Sequence, residues 1–192
     1  MRYDAHRKDQ TRQQIVEAAA RRFRGEGIKS VGIASLMSTV GLTHGGFYAH
    51  FQSKEDLVVE ACLAAFEETL SWLTAVIEAA PPGEKVRAMM EVYLSQLHRD
   101  HMDRGCFAAA LAPEVTRMTD PVRQTMSDCL AALEQLASQA IQADGSDLSP
   151  KAVLAMMVGA LSIARVVPNG RKSEDYLGAV RNLIAANIWK QP

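Results

Sequence analysis

Residues 41–57 read Gly41-Leu42-Thr43-His44-Gly45-Gly46-Phe47-Tyr48-Ala49-His50-Phe51-Gln52-Ser53-Lys54-Glu55-Asp56-Leu57. Gly41 can take the left-handed conformation that turns a chain sharply. Thr43 is a good N-cap for a short second helix, 43–50. Within it Phe47 and Phe51 share one face at i, i+4, which leaves His44, Tyr48 and His50 pointing outward. Gly45 and Gly46 weaken such a helix by about 1 kcal/mol each relative to Ala, but they let the backbone approach another surface closely. Upstream, Ile33, Leu36, Met37 and Val40 recur at helical spacing, giving a short helix over 33–40. Two short helices joined by a three-residue turn containing Gly have helix-turn-helix spacing. Ser53-Lys54-Glu55-Asp56 is a capping-box pattern that launches a long helix.

Working outward, nearly every segment reads as helix. A first helix over 9–25 carries Ile15, Ala18, Ala19 and Phe23 on one face and ends at Gly25 and Gly27. Beyond 53, helices are expected over 54–80, 84–102, 107–111 (disturbed by Pro113), 120–144, 149–167 and from 173 onward. No segment alternates at the strand period for long. The expectation is an all-α chain of nine helices: an N-terminal three-helix head, 1–53, and a C-terminal helical body, 54–192.

The 192 residues are 48% apolar and 22% charged, an ordinary globular balance that excludes a disordered tail or a small disulfide scaffold. The longest apolar stretch, 152–164, falls short of the roughly 20 residues of a membrane span. With no signal segment at the N-terminus, a cytosolic protein without a membrane partner is expected. Cys62, Cys106 and Cys129 fit neither a disulfide framework nor a zinc site. Charge is uneven. Residues 1–53 hold eight Lys/Arg against four acids, and the remainder holds thirteen against eighteen. A basic head on an acidic body points to a polyanion as the head's partner, although chance solvated charge gives the same count. Arg21, Arg22 and Arg24 are expected on the solvated surface.

The run Gly-Phe-Tyr-Ala-His-Phe-Gln-Ser-Lys-Glu-Asp-Leu at 46–57, its distance from Gly41, and Thr11-Arg12-x-x-Ile15-x-x-Ala18-Ala19 resemble the DNA-binding signature of TetR/AcrR-type bacterial regulators. The resemblance covers about the first 60 residues; 105–114 is similar to one branch, more weakly. It implies that Tyr48, His50 and Lys54 touch DNA phosphates and that Thr43 and His44 meet phosphate and base edges. It also implies that Gly45 and Gly46 sit where other members present side chains to bases. Arg12, with Arg7 and Lys8, is expected to add backbone contacts. Val31-Gly32 replaces a hydroxyl pair often found before the second helix, and Gly is an acceptable cap.

The body implies a homodimer through the last two helices, which are too apolar for a monomer's surface. The family resemblance also implies a ligand cavity in each subunit, with a small apolar or aromatic effector as the default. Trp72, Met89, Met90, Tyr93, Leu97, Phe107, Met126 and Met157 are the candidate lining, with His98, His101 and Arg165 to orient a ligand; a Met-rich helical stripe is equally a core pattern. His98-x-x-His101-x-Asp103-x-x-Cys106 could ligate metal, but the spacing is common by chance, so neither metal nor cofactor is assigned. Cys106, after Arg104 and before a helix, is a candidate redox or electrophile sensor. No nucleophile–base–acid constellation appears, so an enzyme is not expected. The expected function is a repressor on a palindromic double-stranded operator, released by its effector. A helical interaction module without a DNA target is the alternative, and the sequence leaves activation open.

Overall fold

A computed structural model describes residues 2–168 and 170–188. Among them are nine α-helices and no strand: α1 Arg2–Glu26, α2 Ile33–Thr39, α3 Lys54–Ala79, α4 Lys85–Tyr93, α5 Gln96–Asp100, α6 Phe107–Val115, α7 Asp120–Ala143, α8 Pro150–Val166 and α9 Arg171–Ile188. Two 3₁₀ segments, His44–Ala49 and Met102–Arg104, interrupt the series.

The all-α reading holds, but the nine are not quite the nine expected. The second helix of the helix-turn-helix is the 3₁₀ segment His44–Ala49, consistent with Gly45-Gly46 supplying too little α propensity over six residues. The helix expected over 84–102 breaks at Leu94-Ser95, where Ser95 turns extended and its hydroxyl caps α5 by accepting from the His98 N–H at 3.1 Å. α1 begins seven residues earlier than expected, at Arg2. α6 runs through Pro113 to Val115 instead of stopping at 111. Proline removes the N–H that would bond the Ala109 carbonyl. The Ser162 hydroxyl of α8 lies 2.9 Å from that carbonyl and 2.8 Å from the Val158 carbonyl, so its one proton is shared between them.

α3 is the spine. It packs on α1, α4 and α7, while α8 and α9 pack on each other. One continuous apolar cluster runs from Ile15 in α1 to Ile184 in α9, so head and body share a core. The spine is launched as expected: the Ser53 Oγ accepts from the Asp56 N–H at 3.0 Å, and Asp56 accepts from the Ser53 N–H at 3.1 Å. Ser53→Ala is expected to cost about 1 kcal/mol, read as a lowered thermal midpoint. No helix among the described residues is long and apolar enough to cross a membrane.

Candidate nucleic-acid interface

Gly41 lies at φ +72°, and the Leu42 N–H returns to the Met37 carbonyl at 2.9 Å, closing α2 into the turn. Phe47 is fully buried and stacks on Phe51, ring centroids 5.4 Å apart. These two rings anchor the 3₁₀ segment, so its other face is presented to solvent. Tyr48 is 60% exposed, edge-on to Phe47 at 5.3 Å, and 5.9 Å from the His44 ring. Thr43, His44 and Gly45 are exposed beside it and Gly46 is half-buried. A Cβ at Gly45 would meet nothing within 4 Å, and one at Gly46 would make only ordinary contacts with Thr43 and Met37. Packing therefore demands neither glycine.

The other expected DNA contacts are turned inward. Arg12 forms a forked ion pair with Glu60 of α3 and donates to the His50 carbonyl, its guanidinium 4.3 Å from the Phe51 ring centroid. It braces the reading segment against the spine and is not a free arm residue. The Lys54 ammonium donates to the Ile28 carbonyl, and burial lowers its pKa against the opposing pull of Glu114. His50 is half-buried with a partnerless Nδ1; burial, then Lys8 and Arg12, lower its pKa and favour the neutral ring.

Arg24 corrects the sequence reading outright. Instead of lying solvated, it is 1% exposed and ties head to body. It donates to the Ala20 carbonyl at 3.0 Å, the Gly105 carbonyl at 3.0 Å and the Glu68 carboxylate at 2.9 Å. A second tie runs from the Lys29 N–H to Glu114 of α6 at 3.1 Å.

In the body, the expected ligand residues separate. Met89, Met90, Tyr93, Cys106, Phe107, Met126 and Met157 are buried in the core. Met90 also touches a separate surface pocket with Arg87 and Arg181. Trp72, Leu97, His98 and His101 do meet, with Ser95 and Arg104, around a pocket of about 360 Å³. Arg165 lies behind it, donating to the His98 carbonyl at 2.9 Å and the Arg99 carbonyl at 3.3 Å. A larger open groove of about 730 Å³ runs between α3 and α7, past Leu63, Leu70 and Cys129, and includes none of the expected residues.

His98 is neither a metal ligand nor a free orienting group here. Its Nδ1–H donates to the Tyr93 carbonyl at 2.6 Å, and its Nε2 accepts from the Cys106 N–H at 2.9 Å, which assigns the neutral tautomer. Burial pushes its pKa down to about 4, Arg165 and Arg24 reinforcing and the Tyr93 carbonyl opposing. Among the described residues no group of three His, Cys, Asp or Glu is arranged to hold a metal.

Residues 15–61 match the family model described as bacterial regulatory proteins, tetR family, and residues 82–182 match the tetracyclin repressor-like C-terminal domain. The transcriptional repressor NemR of Escherichia coli K12 is 25% identical over 195 residues, covering 94% of this chain and 96% of its own. The regulator AcrR of Shigella flexneri is 30% identical over 88 residues, 46% of this chain and 40% of its own. The solved structure of reduced E. coli NemR has TM-score 0.77 at 21% identity, covering 90% of this chain and 96% of that one. AibR, solved with isovaleryl coenzyme A and operator DNA, has TM-score 0.63 at 19% identity, covering 90% and 97%.

Proposed function

Since the chain belongs to the TetR family of DNA-binding transcriptional regulators, which are not enzymes, we propose that it is a cytoplasmic, homodimeric repressor released from its operator by a small effector. Residues 1–53 read DNA and residues 54–192 sense the effector and dimerise. The observation that carries the reading is the outer face of Thr43, His44, Gly45 and Tyr48, anchored from behind by Phe47 and Phe51. Each subunit sets this face in a major groove of one half of a palindrome. Tyr48 supplies a phosphate contact, and Thr43 and His44 meet phosphate and base edges. Lys54 reaches a phosphate only if it leaves the Ile28 carbonyl, and the half-buried His50 ring only if it turns outward. With no side chain at 45 or 46, DNA shape carries part of the discrimination.

In vitro selection of genomic fragments at two salt concentrations tests this. Enrichment of one short palindrome is expected; recovery of salt-sensitive, sequence-blind fragments alone contradicts it. Tyr48→Phe is expected to weaken binding roughly threefold to tenfold on all sequences alike, and His44→Ala to change the order of preference as well. Equal affinities for both variants and the parent chain contradict these roles.

The dimer reading is supported by apolar groups left outside the core on α8 and α9: Val166 is 85% exposed, and Ile163 and Tyr176 are about half exposed. Gly159 adds an open site where a second helix can approach. A sedimentation mass of one chain contradicts it. Release requires the effector to bind the body better when the two heads are wrongly spaced for DNA. AibR, crystallised with both a small molecule and operator DNA, is a structural relative in keeping with this scheme.

A second reading, a repressor switched through the Cys106 thiol, draws on its position at the Gly105 junction with α1. The thiol is fully buried, so a reagent reaches it only through local opening. Operator binding unchanged by alkylating agent or oxidant removes this reading.

A further inference from the structure

We infer that the pocket of about 360 Å³ lined by Trp72, Ser95, Leu97, His98, His101 and Arg104 takes a flat aromatic monocarboxylate and passes its binding to α1 through His98, Gly105 and Arg24. The inference rests on the effector-responsive reading above and names the ligand class for it.

One wall is aromatic: the Trp72 and His98 rings meet edge to face, 5.3 Å between centroids at 76°. Leu97 supplies the apolar wall and is 71% exposed, a large apolar surface left uncovered by the described residues. The donors of Arg104 and Ser95 suit an anion. None of the six lining residues is acidic. Among the described residues Arg104 has a single ion-pair partner, its sequence neighbour Asp103 at 3.8 Å, both well exposed. So loose a pair yields readily to a ligand carboxylate that meets the guanidinium fork. The Ser95 Oγ accepts from the His98 N–H, which leaves its own O–H to donate. A cation meets repulsion at Arg104, and a neutral carbonyl gains a weaker hydrogen bond from it than a carboxylate does.

The pocket floor is wired to the head. His98 Nε2 accepts the Cys106 N–H, and the preceding carbonyl, that of Gly105, accepts from Arg24 of α1. There is no slack between them: a Cβ at Gly105 would lie 2.8 Å from the His98 ring and 2.6 Å from Arg165. A ligand that shifts the His98 ring therefore shifts the 105–106 backbone and the end of α1 with it.

The full chain is titrated calorimetrically with naphthalene-2-carboxylate, its amide and 2-naphthylmethylammonium. The carboxylate is expected to bind at least about tenfold tighter than either analogue. Arg104→Gln is expected to erase that preference while leaving the amide unchanged and the DNA affinity intact. The carboxylate is also expected to release the selected DNA from the parent chain. Equal binding of the three probes, no binding of any, or a preference that survives Arg104→Gln overturns the site. A carboxylate that binds with the expected preference yet leaves DNA bound overturns the relay. A chain that selects no DNA sinks the regulator reading instead, and the titration still judges the pocket.

Discussion

Arg24→Leu is expected to lower the unfolding free energy by about 3 kcal/mol, read as a shift of the urea midpoint at constant slope. The guanidinium is the most deeply buried cation among the described residues and sits where α1 meets both the spine and the 105–106 backbone. Leucine fills most of the space, so cavity formation is a minor part of the cost. The larger part is the Gly105 carbonyl, which loses its charged donor in a site without ready water; an orphaned buried acceptor costs about 1–3 kcal/mol. The Glu68 carboxylate is half exposed and recovers water when its partner goes. Glu68→Gln is therefore expected to cost less than about 1 kcal/mol. If Glu68→Gln costs as much as Arg24→Leu, the ion pair and not the carbonyl is the source. Arg24→Lys should fall between them, because one ammonium cannot span two acceptors as the planar fork does.

Acid should weaken the fold through His98. Its folded pKa, about 4, lies below the ordinary value near 6.5. The unfolded chain therefore binds the proton first as pH falls. The stabilisation from this residue is complete above about pH 6.5, is lost progressively down to pH 4, and changes no further below that. Between pH 7 and pH 4.5 the loss comes to about 2 kcal/mol. Burial of the ring is the main cause, and a protonated Nε2 also cannot accept the Cys106 N–H. Urea unfolding of the parent and of His98→Gln at both pH values isolates this contribution. The variant is expected to lose about 2 kcal/mol less on acidification, and parallel losses would show that carboxylates elsewhere carry the whole pH dependence.

The head was largely legible because its signals are local. Gly41 at a turn, Phe47 and Phe51 one helical turn apart, and the Ser53 box each act within five residues. The 3₁₀ character of 44–49 was not, since six residues span too few turns to separate periods of 3.0 and 3.6. Arg24 was misread from its charge, although it follows Val16 and Ala20 at i+4 on the buried face of α1; that spacing was the available signal. The inward partners of Arg12 and Lys54 were not legible for a different reason: Glu60 and the Ile28 carbonyl are 48 and 26 residues away. The methionine stripe of α4 shows the limit in the body. Core and pocket walls have the same composition, and only the packing of helices distant in sequence decides which apolar face borders a void. The break at Leu94-Ser95 was missed because apolar spacing continues through it, while the event that ends the helix is one hydroxyl capping the next turn.

Gly45 makes this reading surface unusually easy to retarget. Because open space surrounds its missing side chain, an evolutionary step or a designed library can vary the position without disturbing the protein beneath it. Most replacements would firm the segment slightly, by up to about 1 kcal/mol. The fold places no veto there, so under the proposed DNA-facing role whichever residue occupies the position answers to the operator alone. Divergence in target sequence among descendants of this chain can then proceed one codon at a time without compensating change in the scaffold.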